Sequence, residues 1–386
     1  MISTKDFDPK GTYVGRVWRP DVGPALVRLE GGDVLDITSR ACPTMHDLLE
    51  GEHPAATARA AKGDVICGLD DLVESSLSAA QTGDANALRF LAPPDLQAIK
   101  ASGVTFAESM VERVIEEQAA GNADLADGIR ARVKAVIGDS LSGIEPGSEA
   151  AMKVKSVLQE EGLWSQYLEV GIGPDAEVFT KSQPMGSVGY GALVGLHPMS
   201  SWNNPEPEIV LAINSKGVIV GATLGNDVNL RDVEGRSALL LGKAKDNNAS
   251  CSIGPFLRLF DDSFSLDDIR AAELSMRVVG EDEFVLEGHS SMTKISRDPA
   301  DIVAQTIGRH HQYPDGFFLF LGTMFAPVKD RDAVGQGFTH HGGDVVTITE
   351  ARLGSLQNTV RLSTECPEWR FGMAALMRNL AERRLI

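Results

Sequence analysis

The sequence is poor in the features that mark several large classes of protein. Its 386 residues include 4 cysteines, and no two of them form a CxxC pair. This scarcity excludes a disulfide-stapled secreted scaffold and a zinc–thiolate site. No apolar run reaches the roughly 18–20 residues of a membrane-spanning helix, and the N-terminus lacks a basic stretch followed by an apolar one. These absences predict a cytoplasmic protein with reduced thiols and no membrane partner.

Basic residues are also scarce relative to acidic ones. The chain has 36 Lys and Arg against 54 Asp and Glu, which gives a formal net charge of −18. A chain this acidic is a poor partner for nucleic acids and anionic membranes. Glycine motifs for nucleotide phosphates and the GxSxG motif of serine hydrolases are absent as well. The composition, with 43% hydrophobic and 23% charged residues, is that of an ordinary globular protein.

The chain divides into two predicted domains. Three short strands are predicted between residues 13 and 37, and helical stretches follow. The run Ala92-Pro93-Pro94 then interrupts the pattern, because proline disfavours the interiors of both helices and strands. At roughly 100–200 residues per domain, a chain of this length accommodates two domains. We predict a small β-rich N-terminal domain over residues 1–95 and a catalytic domain over residues 96–386.

The larger domain begins with helices and continues with strands. Residues 103–137 and 148–161 combine apolar spacing near 3.6 residues with abundant Glu, Arg and Ala, which predicts surface helices. From residue 176 onward, short apolar runs alternate with glycine-rich turns, as in residues 208–213 and 218–224. This order predicts an α+β fold whose catalytic half is mainly antiparallel or mixed β-sheet.

Two glutamates and an aspartate are the first candidate functional residues. Glu206 and Glu208 flank Pro207, which favours an extended backbone, and side chains at i and i+2 of a strand share one face. Asp227 follows after about the length of a hairpin that returns to the same face. Three carboxylates suit a hard divalent cation such as Mg²⁺. From spacing alone, a metal site and a solvated charge pair at a strand end both remain open.

The segments that follow this triad resemble the fumarylacetoacetate hydrolase superfamily. In that family an E-x-E pair precedes N-D-V-[ST]-x-R-D, a G-K-[SA] segment and a segment similar to C-P-I-G-P. The matching segments here are, in order, N-D-V-N-L-R-D (226–232), G-K-A (242–244), C-S-I-G-P (251–255), E-G-H-S-S-M (287–292), G-T (322–323), G-D-V-V (343–346) and G-S-L-Q-N-T-V (354–360). Because the whole ordered series matches, the resemblance favours the metal site over the charge pair.

The resemblance implies a fold, a cofactor and an assembly. The fold is a mixed β-sandwich roll of the fumarylacetoacetate hydrolase type with a helical lid, here preceded by the small β-rich N-terminal domain. Glu206, Glu208 and Asp227 are implied to hold Mg²⁺ at the open end of this roll, with Mn²⁺ or Ca²⁺ as substitutes. The helices of residues 103–137 are implied to act as a lid or as a subunit contact in a homodimer or homotetramer.

The resemblance also implies residues that contact the substrate. Lys243 is implied to act in catalysis, and Lys245 competes with it for the same role. Thr323, which follows an apolar strand, is implied to bind substrate. Lys181 ends the segment Phe179-Thr180-Lys181, which is similar to an F-x-K segment of the family, and is a further candidate for substrate binding.

One motif of the family is altered in this sequence. Many members carry a helix N-Y-x-x-H-x-x-E whose His and Glu activate water, and the corresponding segment here is T-F-A-E-S-M-V-E (105–112). Ser109 replaces the His, and serine does not accept a proton near neutral pH as histidine does. This replacement disfavours carbon–carbon hydrolysis. Ser109 remains a candidate substrate-binding residue and Glu112 a candidate catalytic base, with Glu108 and Glu116 as alternatives to Glu112.

One branch of the superfamily lacks the His and dehydrates 2-keto-3-deoxy sugar acids, and this chain is most similar to it. The resemblance implies a Mg²⁺-dependent lyase that converts a 2-keto-3-deoxy-pentonate to 2,5-dioxopentanoate in sugar-acid catabolism. A metal ion chelated by the keto acid would acidify the C3 hydrogens, and Glu112 would be the C3 base. Two other functions stay open: a metal-dependent C–C hydrolase or decarboxylase of a β-dicarbonyl acid, and a catalytically inactive binding protein on this scaffold.

Overall fold

The computed structural model describes residues 1–386 except 121, 127, 132–143, 161, 163, 326 and 328. For residues 107, 108 and 116 it describes the backbone but not the side chain. The last part of the helical region predicted at 103–137 therefore lies outside the described residues. The side chains of Glu108 and Glu116, the alternatives to Glu112, lie outside them as well.

Strands occupy both halves of the described chain. They are β1 (Tyr13–Arg19), β2 (Gly23–Glu30), β3 (Asp33–Asp36), β4 (Asp64–Gly68), β5 (Arg89–Leu91), β6 (Ala98–Ser102), β7 (Val178–Ser182), β8 (Leu193–Leu196), β9 (Pro207–Ile213), β10 (Ile219–Asp227), β11 (Cys251–Leu259), β12 (Glu273–Val279), β13 (Val285–Ser291), β14 (Phe317–Phe320), β15 (Val345–Glu350) and β16 (Gly354–Leu362).

These strands form two mixed sheets. The larger sheet has the spatial order β4-β3-β2-β1-β11-β10-β9-β14-β6-β7, and β5 also pairs with β1. The smaller sheet has the order β13-β12-β15-β16-β8. Neighbouring strands are mostly antiparallel, but β14 runs parallel to β6 and β16 runs parallel to β8.

The two sheets pack face to face, and alternate residues of the central strands point to opposite sides. Ile209 and Leu211 of β9 belong to the hydrophobic cluster that also contains Leu274 of the smaller sheet. The intervening residues Val210 and Ala212 belong to a second cluster on the other face. All seven residues of β9 are buried. A strand covered on both faces is a continuous apolar run in the sequence, which is why Glu208 within β9 and Glu206 just before it stand out.

The described helices lie around these sheets, and none of them is long and apolar enough to cross a membrane. They are α1 (Met45–Leu49), α2 (Pro54–Ala60), α3 (Leu69–Thr82), α4 (Ala107–Gln118), α5 (Glu149–Glu160), α6 (Gln166–Ile172), α7 (Arg231–Glu234), α8 (Leu241–Lys245), α9 (Leu266–Arg270), α10 (Pro299–Thr306) and α11 (Met373–Glu382).

Helices α4, α5 and α6 share a small hydrophobic cluster of their own. It joins Met110 of α4 to Leu158 of α5 and Leu168 of α6. Trp202, from the segment just before β9, belongs to the same cluster. These helices therefore pack beside the end of β9 that carries Glu206, where the predicted lid is expected.

The N-terminal strands join the larger sheet rather than forming one of their own. Tyr13 of β1 is the partner of Arg258 in β11. The guanidinium of Arg16 donates to the carbonyl oxygen of Pro94 at 2.6 Å. Near the C-terminus, Asn379 of α11 donates to the carbonyl oxygen of Val22 at 2.7 Å. One sheet thus contains strands from both sides of residue 95. The division into two domains, 1–95 and 96–386, stays a prediction.

Candidate active site

The hairpin of β9 and β10 brings the three predicted metal-ligating carboxylates together. Its register places Asn226 opposite Pro207, and the backbone N–H of Asp227 donates to the carbonyl oxygen of Glu206 at 3.0 Å. One carboxylate oxygen from each of Glu206, Glu208 and Asp227 lies within 4.8 Å of the other two, and all three side chains are buried. Within the described part of the chain, no other group of three His, Cys, Asp or Glu side chains has this geometry.

Three cationic side chains lie against these carboxylates. The Nζ atom of Lys245 is 2.5 Å from Glu206 Oε2 and 3.1 Å from Asp227 Oδ2. The Nζ atom of Lys181 is 2.7 Å from Asp227 Oδ1, and Arg113 of α4 donates to Glu206 Oε1. Buried carboxylates are costly unless cations or hydrogen bonds offset them, so these contacts offset the cost of burying Glu206 and Asp227.

Glu208 has a different environment from its two neighbours. It accepts a hydrogen bond from the backbone N–H of Gly322 at 2.7 Å. Burial, and then the negative charges of Asp227 and Glu206, raise the pKa of Glu208 well above its usual value. For Asp227, burial alone would also raise the pKa, but the charges of Lys181 and Lys245 outweigh it and the pKa is lowered. A further cation beside Glu208 would favour its ionised form.

The structure places Lys243 outside the small cavity beside the carboxylates. Lys243 and Lys245 lie two residues apart on α8, and residues at i and i+2 of a helix face different directions. Lys243 is exposed, whereas Lys245 is buried and lines the cavity beside the carboxylates. Burial alone would lower the pKa of Lys245, but Asp227 and then Glu206 raise it. Lys245, the alternative that the sequence left open, is therefore the lysine that lines the cavity, and which lysine acts in catalysis stays a prediction.

Lys181 reaches the site, but as a partner of a carboxylate. Its side chain is fully buried. Its ammonium group donates to the carbonyl oxygens of Val228 at 3.1 Å and Lys245 at 2.6 Å, and it forms an ion pair with Asp227. Lys181 therefore holds a positive charge beside Asp227, and its contact with substrate stays a prediction.

Ser109 and Thr323 meet at the wall of the site. Thr323 lines the cavity beside the carboxylates. The buried Ser109 hydroxyl donates to the carbonyl oxygen of Thr323 at 2.8 Å, so it supports this wall from α4. Thr323 is thus placed where a substrate could contact it, while the hydroxyl hydrogen of Ser109 is already engaged.

Glu112, the predicted base, is buried next to the site but is held by another residue. Arg130 donates to both of its oxygens, from Nε to Oε1 at 3.0 Å and from Nη2 to Oε2 at 2.9 Å. A bidentate pair of this kind fixes the orientation of a carboxylate. The described residues that line the cavity do not include Glu112. Glu112 therefore lies next to Arg113 in α4 but outside the described wall of the cavity, and its role as the base stays a prediction.

A small cavity beside the triad identifies residues that the sequence analysis missed. Its volume is ≈ 20 Å³, enough for about one water molecule. Besides the triad, its walls include Arg113, Glu177, Glu234, Lys245 and Thr323. Glu177 precedes β7 and Glu234 ends α7. Neither has a spacing that distinguishes it from the many other acidic residues of the chain.

Glu177 combines a position on the cavity wall with a shifted pKa. Its carboxylate lies over Gly103, where a Cβ atom would overlap Oε2. No cation among the described residues lies within ion-pair distance of it. Burial, and then the negative charge of Glu234, raise the pKa of Glu177 to about 7. A carboxyl group with such a pKa can both accept and return a proton near neutral pH.

Comparison with known sequences finds one family and two similar curated proteins. Residues 207–361 match the family described as fumarylacetoacetate (FAA) hydrolase C-terminal. The Probable 2-keto-3-deoxyxylonate dehydratase of Haloferax volcanii is 31% identical over 202 residues, which are 52% of this chain and 66% of that protein. The 2-dehydro-3-deoxy-D-arabinonate dehydratase of Saccharolobus solfataricus is 30% identical over 188 residues, which are 48% of this chain and 58% of that protein. Each match spans less than two thirds of the relative.

Solved structures share the fold over most of the chain. The apo form of 2-keto-3-deoxy-D-arabinonate dehydratase superposes with a TM-score of 0.63 at 22% identity, and covers 91% of this chain and 99% of that one. A structure of 2-keto-3-deoxy-D-arabinonate dehydratase complexed with magnesium and 2,5-dioxopentanoate gives a TM-score of 0.60 at 21% identity, with the same coverage. These similarities confirm the predicted fold.

Proposed function

We propose that the chain, whose residues 207–361 match the fumarylacetoacetate (FAA) hydrolase C-terminal family, is a Mg²⁺-dependent hydro-lyase. It would dehydrate a 2-keto-3-deoxy-pentonate to 2,5-dioxopentanoate. The observation that carries this proposal is the convergence of Glu206, Glu208 and Asp227 on a cavity that Lys245 also lines. The two curated relatives support the substrate class, since both are named as dehydratases of such acids.

The residues of the cavity fit a divalent cation. Carboxylate oxygens are hard ligands, which Mg²⁺ prefers, and three of them lie within 4.8 Å of one another. Five carboxylates and three cationic side chains form this network, so in its fully ionised form one divalent cation would balance its charge. The members of the network are Glu177, Glu206, Glu208, Asp227, Glu234, Arg113, Lys181 and Lys245.

The side chains around the triad have distinct parts in this reaction. Glu206, Glu208 and Asp227 would hold Mg²⁺, which would offset the charge of the keto acid, polarise its ketone and so acidify the C3 hydrogens. Lys245 adds a fixed positive charge at the same wall of the cavity. The Thr323 hydroxyl donates to the carbonyl oxygen of Phe325 at 3.1 Å, so its oxygen can accept a hydrogen bond from a substrate hydroxyl.

Glu177 is the residue that we assign as the C3 base in place of Glu112. It lines the cavity, whereas Arg130 holds both oxygens of Glu112. Glu177 takes a proton from C3, and the electron pair of that C–H bond forms the C3=C4 double bond as the C4–O bond breaks. The C4 hydroxyl leaves as water with the proton that Glu177 returns. The unsaturated keto acid that remains is an isomer of 2,5-dioxopentanoate. It becomes that product when a proton moves from C5 to C3 and the hydroxyl proton of the resulting enol moves to C4.

The two alternative functions have less support from the site. A C–C hydrolase needs a base that activates water, and the residues at the two positions of that dyad are Ser109, bonded to the Thr323 carbonyl, and Glu112, bonded to Arg130. An inactive binding protein would not need the metal-ligand set, the buried Lys245 and a carboxyl with a raised pKa in one cavity. The hydro-lyase accounts for all of these groups.

A coupled assay tests the proposed reaction. The protein is incubated with Mg²⁺, a 2-keto-3-deoxy-pentonate, a semialdehyde dehydrogenase and NAD(P)⁺, and reduced cofactor is measured. We expect the signal to disappear with EDTA and to return when Mg²⁺ is added in excess. Cleavage of an acylpyruvate with no reduced cofactor from the sugar acid would replace the lyase with the hydrolase.

The two neighbouring lysines should differ strongly when each is replaced. Lys245→Met removes a buried positive charge from the cavity, and we expect kcat to fall about 10²-fold or more, as for loss of other fixed electrostatic groups. Lys243→Met is the matched control, because it removes the same charge from an exposed position of the same helix. Measurement of kcat and KM for both variants decides the assignment, and a larger loss in the Lys243 variant would contradict it.

We further propose that the enzyme is cytoplasmic and works as a homodimer or homotetramer. Its four cysteines are free thiols in the structure, which supports a reducing compartment. Light scattering coupled to size-exclusion chromatography measures the assembly directly. A monomer at micromolar concentration with full activity would contradict the oligomer.

A further inference from the structure

Arg113 joins the lid helix to the metal-ligand set. It lies on α4, and its side chain is buried between two carboxylates. One of its terminal nitrogens donates to Glu206 Oε1, and the other is 3.2 Å from Glu234 Oε2. Glu206 belongs to the triad, whereas Glu234 lies on α7 and is not one of its three members. The guanidinium thus bridges a ligand carboxylate and a carboxylate outside the ligand set.

Both oxygens of Glu206 accept hydrogen bonds from cationic side chains. Oε1 accepts from Arg113, and Oε2 accepts from Lys245 at 2.5 Å. A divalent cation at the triad needs one of these oxygens. Sharing that oxygen with a guanidinium at contact distance is unfavourable, because two cations so close repel in a buried site. Metal binding therefore favours withdrawal of one of the two side chains from Glu206.

Arg113 is the side chain that can withdraw at lower cost. Lys245 is also 3.1 Å from Asp227, a second member of the triad, so a shift away from Glu206 would leave it among ligands of the same ion. Arg113 already touches Glu234 with its other nitrogen. A small rotation that places both nitrogens on Glu234 would keep its charge paired and would release Glu206 Oε1.

The same movement would make room for the substrate. The cavity holds about one water molecule at ≈ 20 Å³, far less than a five-carbon keto acid requires. Arg113 forms part of its wall, and Ser109 connects the same helix to Thr323 on another part of the wall. A shift of Arg113 away from Glu206 would therefore enlarge the cavity, and it would move α4 at the same time.

We propose that Arg113 is a positioning residue that couples the lid helix α4 to the metal centre. It holds Glu206 until a divalent cation binds there, and it then transfers to Glu234. The proposal rests on the proposed metal-dependent function, and it concerns residues of this chain that contact the ligand set rather than the ion itself.

A double-mutant cycle with Mn²⁺ as the probe tests this coupling. The dissociation constant for Mn²⁺ is measured by calorimetry on the full chain for the wild type, Arg113→Met, Glu234→Gln and the double variant. We expect Arg113→Met to bind Mn²⁺ about tenfold more tightly, because the competing cation is gone. Glu234→Gln should bind about tenfold more weakly, because Arg113 loses its alternative partner, and this loss should fall below about threefold when Met occupies position 113.

A charge-matched control separates this mechanism from a general electrostatic effect. Arg130→Met removes another arginine of the lid region, one that pairs with Glu112 and not with the triad, so it should leave the Mn²⁺ affinity within about twofold. Weaker or unchanged Mn²⁺ binding by Arg113→Met, additive effects in the cycle, or equal tightening by Arg130→Met would overturn the coupling. A wild type that binds no Mn²⁺ would instead overturn the proposed function itself. Circular dichroism checks that each variant is folded.

Discussion

Glu208→Gln is expected to abolish both Mg²⁺ binding and dehydration. The substitution keeps the size of the side chain and replaces a charged ligand with a neutral amide, which Mg²⁺ binds poorly. The amide oxygen of Gln can still accept the hydrogen bond that Gly322 N–H donates to Glu208, so the substitution mainly removes the charge of the ligand. Loss of a residue that only hydrogen-bonds to a metal ligand typically lowers metal affinity by about 10–100-fold. Loss of a direct ligand should therefore lower the Mg²⁺ affinity by at least about 100-fold. Calorimetry with Mg²⁺ and the coupled assay measure the two effects.

The Glu208→Gln variant should remain folded, so that its loss of Mg²⁺ binding and activity is not caused by unfolding. The pKa of Glu208 is raised by burial and by the charges of Asp227 and Glu206. A carboxyl group whose pKa is higher in the folded state destabilises the fold as the pH rises above its unfolded value. In the absence of metal, Glu208→Gln should therefore unfold at the same or a higher temperature than the wild type at pH 8. The difference should shrink as the pH falls below about 4.3, the ordinary pKa of Glu, because the carboxyl then becomes protonated in the unfolded state as well.

An exposed glutamate provides the control for this experiment. Glu160 ends α5 and is exposed, so Glu160→Gln removes the same charge far from the cavity wall. We expect this variant to keep its Mg²⁺ affinity and turnover. Normal Mg²⁺ binding by Glu208→Gln would remove the metal hypothesis, whatever the activity of the variant.

Glu177→Gln is expected to keep metal binding and to lose proton transfer at C3. An amide cannot accept the C3 proton, and loss of a general base typically lowers turnover by about 10²–10⁴-fold. Pyruvate isolates this step, because it is a 2-keto acid with C3 hydrogens and no hydroxyl to lose. In D₂O with Mg²⁺, the wild type should exchange the methyl hydrogens of pyruvate for deuterium, as followed by NMR. The Glu177→Gln variant should bind pyruvate and show no exchange above the rate without enzyme.

The pH dependence of exchange gives this assignment a second test. A base must be ionised to accept a proton, and the pKa of Glu177 is raised to about 7 by burial and by Glu234. The exchange rate of the wild type should therefore increase as the pH rises through that value, and this increase should be absent from Glu177→Gln. Since burial and Glu234 both hold the pKa high, Glu234→Gln should move the increase to lower pH.

Gly103→Ala tests the position of the base without removing it. The new Cβ would overlap Glu177 Oε2, so the carboxylate must move while its chemistry stays the same. We expect exchange and kcat to fall and the Mg²⁺ affinity to remain. Unchanged exchange in Glu177→Gln would reassign the base to another residue. A wild type that neither dehydrates the sugar acid nor exchanges pyruvate would contradict the proposed function as a whole.

The carboxylate triad could be predicted because it depends on local rules. The E-x-E spacing places two side chains on one face of a strand, and Asp227 lies on the neighbouring strand of the same hairpin. The apolar run of β9 and the glycine-rich turns identified the sheet, and the ordered motifs identified the fold. All of these signals come from residues that are close in sequence or that follow one another in a fixed order.

The sequence by itself thus determined the fold, the hairpin and the three acidic residues that meet on it. The tertiary structure alone decided which lysine faces them, because Lys243 and Lys245 differ only in their direction around α8. It also decided that Glu177 lies on the cavity wall and that Arg113 reaches Glu206. The physical reason is that burial, pKa and ion pairing depend on charges and packing contributed by distant segments, and no spacing along the chain records how those segments are brought together.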